Sequence, residues 1–198
     1  MNPMPPPQLP PPRTDGAVSV ETALARRRSR RDFSGTPLSL DELGQLLWAA
    51  HGVTGPDGRR TAPTAGNTGP HEVYAVTPAG AFRYDGAAHS LEEIDPADLR
   101  APLRSVTRDD DHLLQAGAVI VLAVVAARTA VRYQERADRY LAMGLGHAAQ
   151  NVLLQAEALG LWAYPVGAHD PEGVARLLRL PEGCLPLYMV PVGHPAVS

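Results

Sequence analysis

Apolar residues recur along the chain at two periods, and where the period changes the chain is expected to pass from helix to strand. Val20, Ala23 and Leu24 share a helical face with Arg27, behind a Ser19 placed to cap the first turn. Leu43, Leu46, Leu47 and Ala50 repeat that spacing behind Ser39 and Glu42, the two polar positions of a capping box. This second helix is expected to stop at His51-Gly52, with the glycine in a left-handed cap and Trp48 packed beneath. Residues 72–77 and 82–85 read as a hairpin across Pro78-Ala79-Gly80-Ala81, while residues 89–99 are polar and turn-rich. Residues 118–126 form one continuous apolar run, which suits a strand buried on both faces. Residues 128–159 are helical in character, with a bend expected near Met143-Gly144-Leu145-Gly146. The small residues Ala148, Ala149 and Ala156 let another helix approach, within this chain or from a second copy. His147, Gln150 and Asn151 are expected to be satisfied by core hydrogen bonds. Residues 161–167 and 187–192 read as strands flanking a short helix that Asp170 caps and Pro171 opens.

Two segments fall outside both periods. Residues 1–15 form a proline-rich arm, expected to be extended and without a core of its own, either as a free tail or wrapped on a neighbour; the domain proper is expected over 16–198. Residues 53–70 are a long Gly/Pro/Thr loop, and loops of that length in a compact domain are usually functional or disordered. Its small residues allow backbone to approach a flat ligand, and Asn67 carries a donor and an acceptor on one amide.

Composition narrows the chemistry. The 198 residues suit one domain, and a hydrophobic fraction of 44% supports a real core. All 18 basic residues are arginine, which excludes a Schiff-base lysine, a P-loop lysine and a lysine general base. Cys184 is the only cysteine, and the 7 histidines show no metal-ligand spacing, so no metal is expected. No secretory leader and no apolar run of about 20 residues is evident, so the expectation is a cytoplasmic protein with no membrane partner.

Arg26, Arg27, Arg28, Arg30 and Arg31 crowd around Ser29 at the end of the first helix. Like charges this dense favour an anion, and the guanidinium fork fits a phosphate in two-point contact. On an extended chain Arg27, Ser29 and Arg31 share one side while Arg26 and Arg30 point elsewhere. The residues alone leave three readings open: a phosphate site, a solvated basic run, or a nucleic-acid patch. The net charge of -3 and the 5% of aromatic residues weigh against nucleic acid.

Several stretches taken in order resemble flavin-dependent nitroreductases. These are Leu24-Ala-Arg-Arg-Arg-Ser-Arg-Arg-Asp-Phe33, Leu40-Asp-Glu-Leu-Gly-Gln-Leu-Leu-Trp-Ala-Ala-His-Gly52, and Ala62-Pro-Thr-Ala-Gly-Asn67. The helix from Gly146, Pro165-Val-Gly-Ala168, and Leu187-Tyr-Met-Val-Pro-Val-Gly193 continue the match, and the branch it most resembles is the SagB-type oxidases and dehydrogenases. The resemblance implies an α+β, nitroreductase-like fold: a mostly antiparallel central sheet flanked by helices, in an intertwined homodimer with flavin mononucleotide (FMN) at the interface. Carried onto this chain, Arg27, Arg28 and Ser29 correspond to the phosphate and ribityl positions. Arg31 corresponds to the cation on the pyrimidine side, where it would stabilise charge developing on reduction. Pro63, Thr64 and Asn67 fall in the loop at the ring edge. Pro165, Val166 and Gly167 correspond to the strand end whose backbone N–H at Gly167 faces flavin N5. Tyr133, with Tyr140, falls in the substrate-facing part, as proton donor or as wall.

Thr64 replaces the usual serine, and after the last strand only His194 stands where basic residues commonly reach the phosphate. The implied activity is hydride transfer through FMN, between NAD(P)H and a small quinone or nitro acceptor, by a ping-pong scheme. The alternatives are a SagB-type azoline dehydrogenase acting on a peptide, in which Arg132-Tyr133 would replace a Lys-Tyr pair, or a flavin-binding module without turnover.

Overall fold

The computed structural model describes residues 8–108 and 110–196. Its centre is a six-stranded sheet in the order β3-β2-β1-β4-β6-β5, every pair antiparallel. The strands are β1 His71–Thr77, β2 Gly80–Asp85, β3 Ser90–Asp95, β4 Ala118–Val125, β5 Trp162–Ala163 and β6 Cys184–Gly193. The helices are α1 Val20–Arg26, α2 Leu40–His51, α3 Arg100–Ser105, α4 Ala126–Tyr133, α5 Ala137–Ala158 and α6 Pro171–Leu177. This is the α+β architecture expected. β4 is the apolar run of the sequence, buried on both faces because helices cover both. Ile120, Leu122 and Val124 face Leu46, Leu47, Leu145 and Val152 of α2 and α5. Val119, Val121 and Ala123 face a second cluster with Leu103 of α3 and Val174 of α6.

Local signals set three of the six helix starts among the described residues. Ser19 caps α1 by accepting from Thr22 N, and Ser39 and Glu42 form the reciprocal capping box of α2. Asp170 and Pro171 open α6 as expected. Gly52 follows α2 but is extended (φ -68, ψ 156) rather than left-handed. It is glycine for another reason, since a Cβ there would lie 2.1 Å from the half-buried Trp48 ring.

Three further expectations are corrected. Residues 89–99 contain β3, an edge strand whose Glu92 and Glu93 are exposed. The bend of the long helical region is not at Gly144 or Gly146 but at Gln134, whose φ of 48 ends α4 before α5 begins. Gly144 instead lets β1 come close, because a Cβ there would sit 2.7 Å from His71 Nε2. Of residues 161–167 only Trp162–Ala163 is strand; Val166 then makes an isolated bridge to Met189.

Residues 8–33 bracket the sheet. Gln8 bridges Ser90 on the β3 edge, and Leu9 is buried with its N–H on His89 O. His89 Nε2 donates to Pro10 O at 2.9 Å, and Gln45 clamps the backbone of Arg13 from both sides. At the opposite edge Ser29 bridges Ala163 and Phe33 bridges Pro195. The described part of the proline-rich arm, residues 8–13, thus lies on its own chain; residues 1–7 lie outside the described residues.

Candidate functional site

The arginine-rich stretch is positioned by backbone pairing. α1 ends at Arg26, and Arg27 leaves helical geometry with φ -51 and ψ 126. The chain then runs extended outside β5, where Ser29 pairs in parallel with Ala163 and Arg30 N–H donates to Ala163 O at 3.1 Å. Its side chains take different partners. Arg30 pairs with Glu157 of α5 at 3.3 Å and lies 5.5 Å over Trp162. Arg28 folds back on the carbonyls of Ala25 and Arg27, where a cation complements the helix C-terminus. Arg31 lies 4.8 Å over the ring of Tyr164. Tyr164 in turn donates to Asp110 at 2.8 Å, and burial together with that carboxylate pushes its phenol pKa upward. Among the described residues Arg27, Arg28 and Arg31 have no ion-pair partner. A notch of about 450 Å³ opens here, bounded by Ser29, Arg30, Arg31, Asp32, His112 and Trp162.

Beyond β5 the same edge continues into Pro165-Val166-Gly167. Val166 exchanges backbone hydrogen bonds with Met189 at 2.8 and 3.0 Å, and Pro165 precedes it where no N–H is required. Gly167 is exposed, and a Cβ there would meet only Tyr188, at 3.9 Å. Its backbone therefore faces open space on an otherwise packed edge.

Pro63, Thr64 and Asn67 sit elsewhere. Thr64 precedes a 3-10 turn over Ala65–Asn67, in which Gly66 (φ 58) and Asn67 (φ 53) are both left-handed. The turn rests on α4. Arg132 Nη1 donates to Gly66 O at 3.4 Å, and a Cβ on Gly66 would lie 2.6 Å from Tyr133 Oη. Thr68 and Thr129 share a hydroxyl hydrogen bond, and Arg128 ties Gly69 O to Glu72. Asn151 of α5 donates to the carbonyls of Ala49 and Thr61, as expected of a buried amide, whereas His147 is exposed.

Beneath this loop lies a feature that sequence reasoning missed. His51 and His71 are buried with ring centroids 5.2 Å apart. Three of their ring nitrogens, His51 Nδ1 and both of His71, have no hydrogen-bond partner. Burial, then the charges of Arg60, His71 and Arg128, lowers the pKa of His51 to about 3. Burial and then His147 lowers that of His71 to about 4. Both rings are neutral at pH 7. Nothing local marks the pair, because its members meet only once α2 packs on β1.

The structure therefore gathers the expected residues into two groups. Arg27, Arg28, Ser29 and Arg31 join Pro165, Val166 and Gly167 along one sheet edge; Pro63, Thr64 and Asn67 join Tyr133 at the start of α5. Pro63 O is at Gly144 and Arg30 is at Glu157, so roughly 20 Å of helix axis lies between the groups. Gly167 and Tyr133 do not meet within one chain. His194, the basic residue after β6, lies 3.5 Å from Glu42 and holds Ser34 N–H with its carbonyl. A groove of about 700 Å³ separates the N-terminal stretch Arg13 to Val20 from α2 and α5, and Val20 and Leu24 of α1 are exposed beside it.

Known proteins with this pattern point one way. The model of the nitroreductase family matches residues 24–194. A Methanocaldococcus jannaschii protein assigned as a nitroreductase is 35% identical over 183 residues, covering 89% of this chain and 91% of its own. A solved structure from Ralstonia eutropha, also assigned as a nitroreductase, superposes with a TM-score of 0.88 at 33% identity, over 96% of this chain and 90% of that one. The NADPH:FMN oxidoreductase of Vibrio harveyi, solved with NAD+, shares the fold: TM-score 0.68 and 20% identity, over 90% of this chain and 69% of its own.

Proposed function

The chain belongs to the nitroreductase family, and is thereby an oxidoreductase; on that premise we propose that it is an FMN-dependent enzyme passing hydride between NAD(P)H and a small conjugated acceptor of quinone or nitro type, in a ping-pong scheme. The observation that carries this reading is the division of the site. One group offers guanidinium donors without carboxylate partners beside an open backbone edge; the other offers a left-handed turn and aromatic hydroxyls. Held about 20 Å apart on one chain, they complete one site when a second copy supplies the missing half. Such a homodimer would cover Val20 and Leu24, now 66% and 54% exposed.

The donor set fits FMN. Arg27, Arg28 and the exposed Ser29 hydroxyl suit a phosphate and a sugar chain, and a flat ring over Gly167 would meet only the side chain of Tyr188. Bound FMN would supply N5 as the hydride-accepting atom and the conjugated ring that carries the electron pair. The chain's own residues would do the rest. Gly167 donates its N–H toward the ring, and Asn67 holds the ring edge from the partner copy. Arg31, fixed by stacking on Tyr164, sets a permanent positive charge where negative charge develops. Tyr133 lines the acceptor side, with its hydroxyl kept against Gly66. Residues 1–15 form an appendage to a domain over 16–198, and the protein acts in the cytoplasm. Among the described residues no helix is long and apolar enough to cross a membrane.

Anaerobic titration of the purified protein tests the reading. NADH or NADPH should bleach a flavin band, a quinone or nitroaromatic should restore it, and light scattering should give a dimer. A protein that cannot be loaded with FMN, or a flavin-loaded monomer, overturns the proposal. Bleaching by a thiazoline peptide but by neither nicotinamide assigns the chain to peptide oxidation instead.

A further inference from the structure

Two of the chain's three Arg-Tyr dipeptides, Arg132-Tyr133 and Arg139-Tyr140, lie on opposite sides of the break at Gln134. The break folds the second pair back beside the first. Tyr133 and Tyr140 meet edge to face, with centroids 4.9 Å apart and planes at 71°. Arg132 lies 5.5 Å over the Tyr133 ring and Arg139 lies 5.5 Å over that of Tyr140. The result is a row of guanidinium, phenol, phenol and guanidinium, each guanidinium over its own ring and the two rings edge to face. Its inner end touches the turn at Gly66, through Tyr133 Oη and through Arg132 on Gly66 O. Both arginines are exposed, both tyrosines are half-buried, and among the described residues neither arginine has an ion pair.

Stacking uses the face of a guanidinium and leaves its in-plane N–H donors unengaged. It also fixes the plane of a side chain that would otherwise lose rotamer freedom on binding a ligand. Arg139 is thus a preoriented anion fork beside an aromatic wall. Residues 132–140 carry Arg132, Arg136 and Arg139 against Glu135 and Asp138, so the stretch keeps a net positive charge.

We propose that this stack is an anion-selective shelf of the active site, which accepts a planar conjugated ring bearing a carboxylate or phosphate and orients the anion on Arg139. The proposal rests on the reading above that the turn at residues 65–67 borders the flavin ring, and it names the class of co-substrate received there. An anionic acceptor carries its charge on the ring and NADPH carries its 2′-phosphate on the ribose beside adenine; both set an anion next to a flat ring, and separate arms of one experiment tell them apart.

The experiment compares the full-length, FMN-loaded protein with Arg139→Gln and Arg139→Lys. Calorimetric binding of 4-nitrobenzoate is measured against nitrobenzene, and of NADP+ against NAD+, at low ionic strength. Loss of one exposed charge-assisted contact lowers the preference for the anionic member by roughly tenfold in Arg139→Gln. Arg139→Lys restores only part of it, because a point charge replaces a stacked fork. A drop confined to the 4-nitrobenzoate ratio assigns the shelf to the acceptor; one confined to the NADP+ ratio assigns it to the reductant. If neither ratio moves, or both members of a pair weaken equally, the shelf does not exist. Flavin content and its bleaching by nicotinamide are recorded on the same samples. Failure of the enzymatic reading appears there, while a loss of anion preference is read from binding alone.

Discussion

Residues 27–31 take their position from backbone pairing with Ala163, whereas residues 63–67 take theirs from two consecutive left-handed residues and from the side chains of Arg132 and Tyr133. In the first region the main chain and the Arg30–Glu157 pair hold the segment, so Arg27 and Ser29 are left for a ligand. In the second the same atoms make the fold and border the candidate site. A change of chemistry is therefore separable from a change of stability at the sheet edge and inseparable from it at the loop.

Acid should break the comparison most strongly. The folded pKa values of His51 and His71, about 3 and about 4, lie below their unfolded value near 6.5. The unfolded chain takes up protons first, so the stabilisation of the neutral pair is complete above pH 6.5 and is lost as pH falls toward 4. Between pH 6.5 and pH 5 the loss is roughly 3 kcal/mol for the pair. Denaturant midpoints should fall accordingly, and His71→Leu should remove about half of the slope. A midpoint independent of pH over that interval would contradict the burial argument. Residues 27–31 contain no histidine or carboxylate, so the loop should open first, as read by amide exchange at residues 65–69.

Arg27→Ala tests the other region. Two charge-assisted contacts to a phosphate disappear, and FMN should bind roughly 100-fold more weakly. Thermal stability without flavin should stay unchanged, because among the described residues Arg27 has no ion-pair partner to lose. Stoichiometric flavin after exhaustive dialysis would refute the assignment of Arg27 to the phosphate.

Gly66→Ala sharpens the contrast with a smaller effect. The new methyl would meet Tyr133 Oη at 2.6 Å on a residue with φ 58. The cost is roughly 1–3 kcal/mol, a fall in Tm of about 2–4 °C for each kcal/mol. The apo protein should lose stability here as well as the loaded one, the reverse of Arg27→Ala. An apo Tm equal to that of the parent would show that the turn is not strained by a side chain.

Much of the fold was legible because its signals are local. Ser19, Ser39 with Glu42, and Asp170 with Pro171 mark helix starts within four residues, and the run through Ile120 has one sensible fate. β3 was not legible, since an edge strand with Glu92 and Glu93 exposed shows little alternation until Gln8 and β2 pair with it. The break at Gln134 lacks the glycine that would announce a positive φ. In the site, charge density pointed to residues 26–31, but which arginine remains unpaired is decided by Glu157, Trp162 and Tyr164, all far away in sequence. The histidine pair depends wholly on tertiary packing.

The bracketing of the sheet by residues 8–33 has a temporal consequence. Ser29 waits for Ala163, Ser34 for His194, and Ala196 N–H closes onto Asp32 O. Residues 29–34 thus pair with segments made more than 120 residues later, and these long-range pairings place them among the slow steps of folding. Until those partners have been made, the arginine-rich edge is an unanchored polycation. A truncation before Ala163 should leave residues 27–31 without a register, whatever the state of β1 and β2.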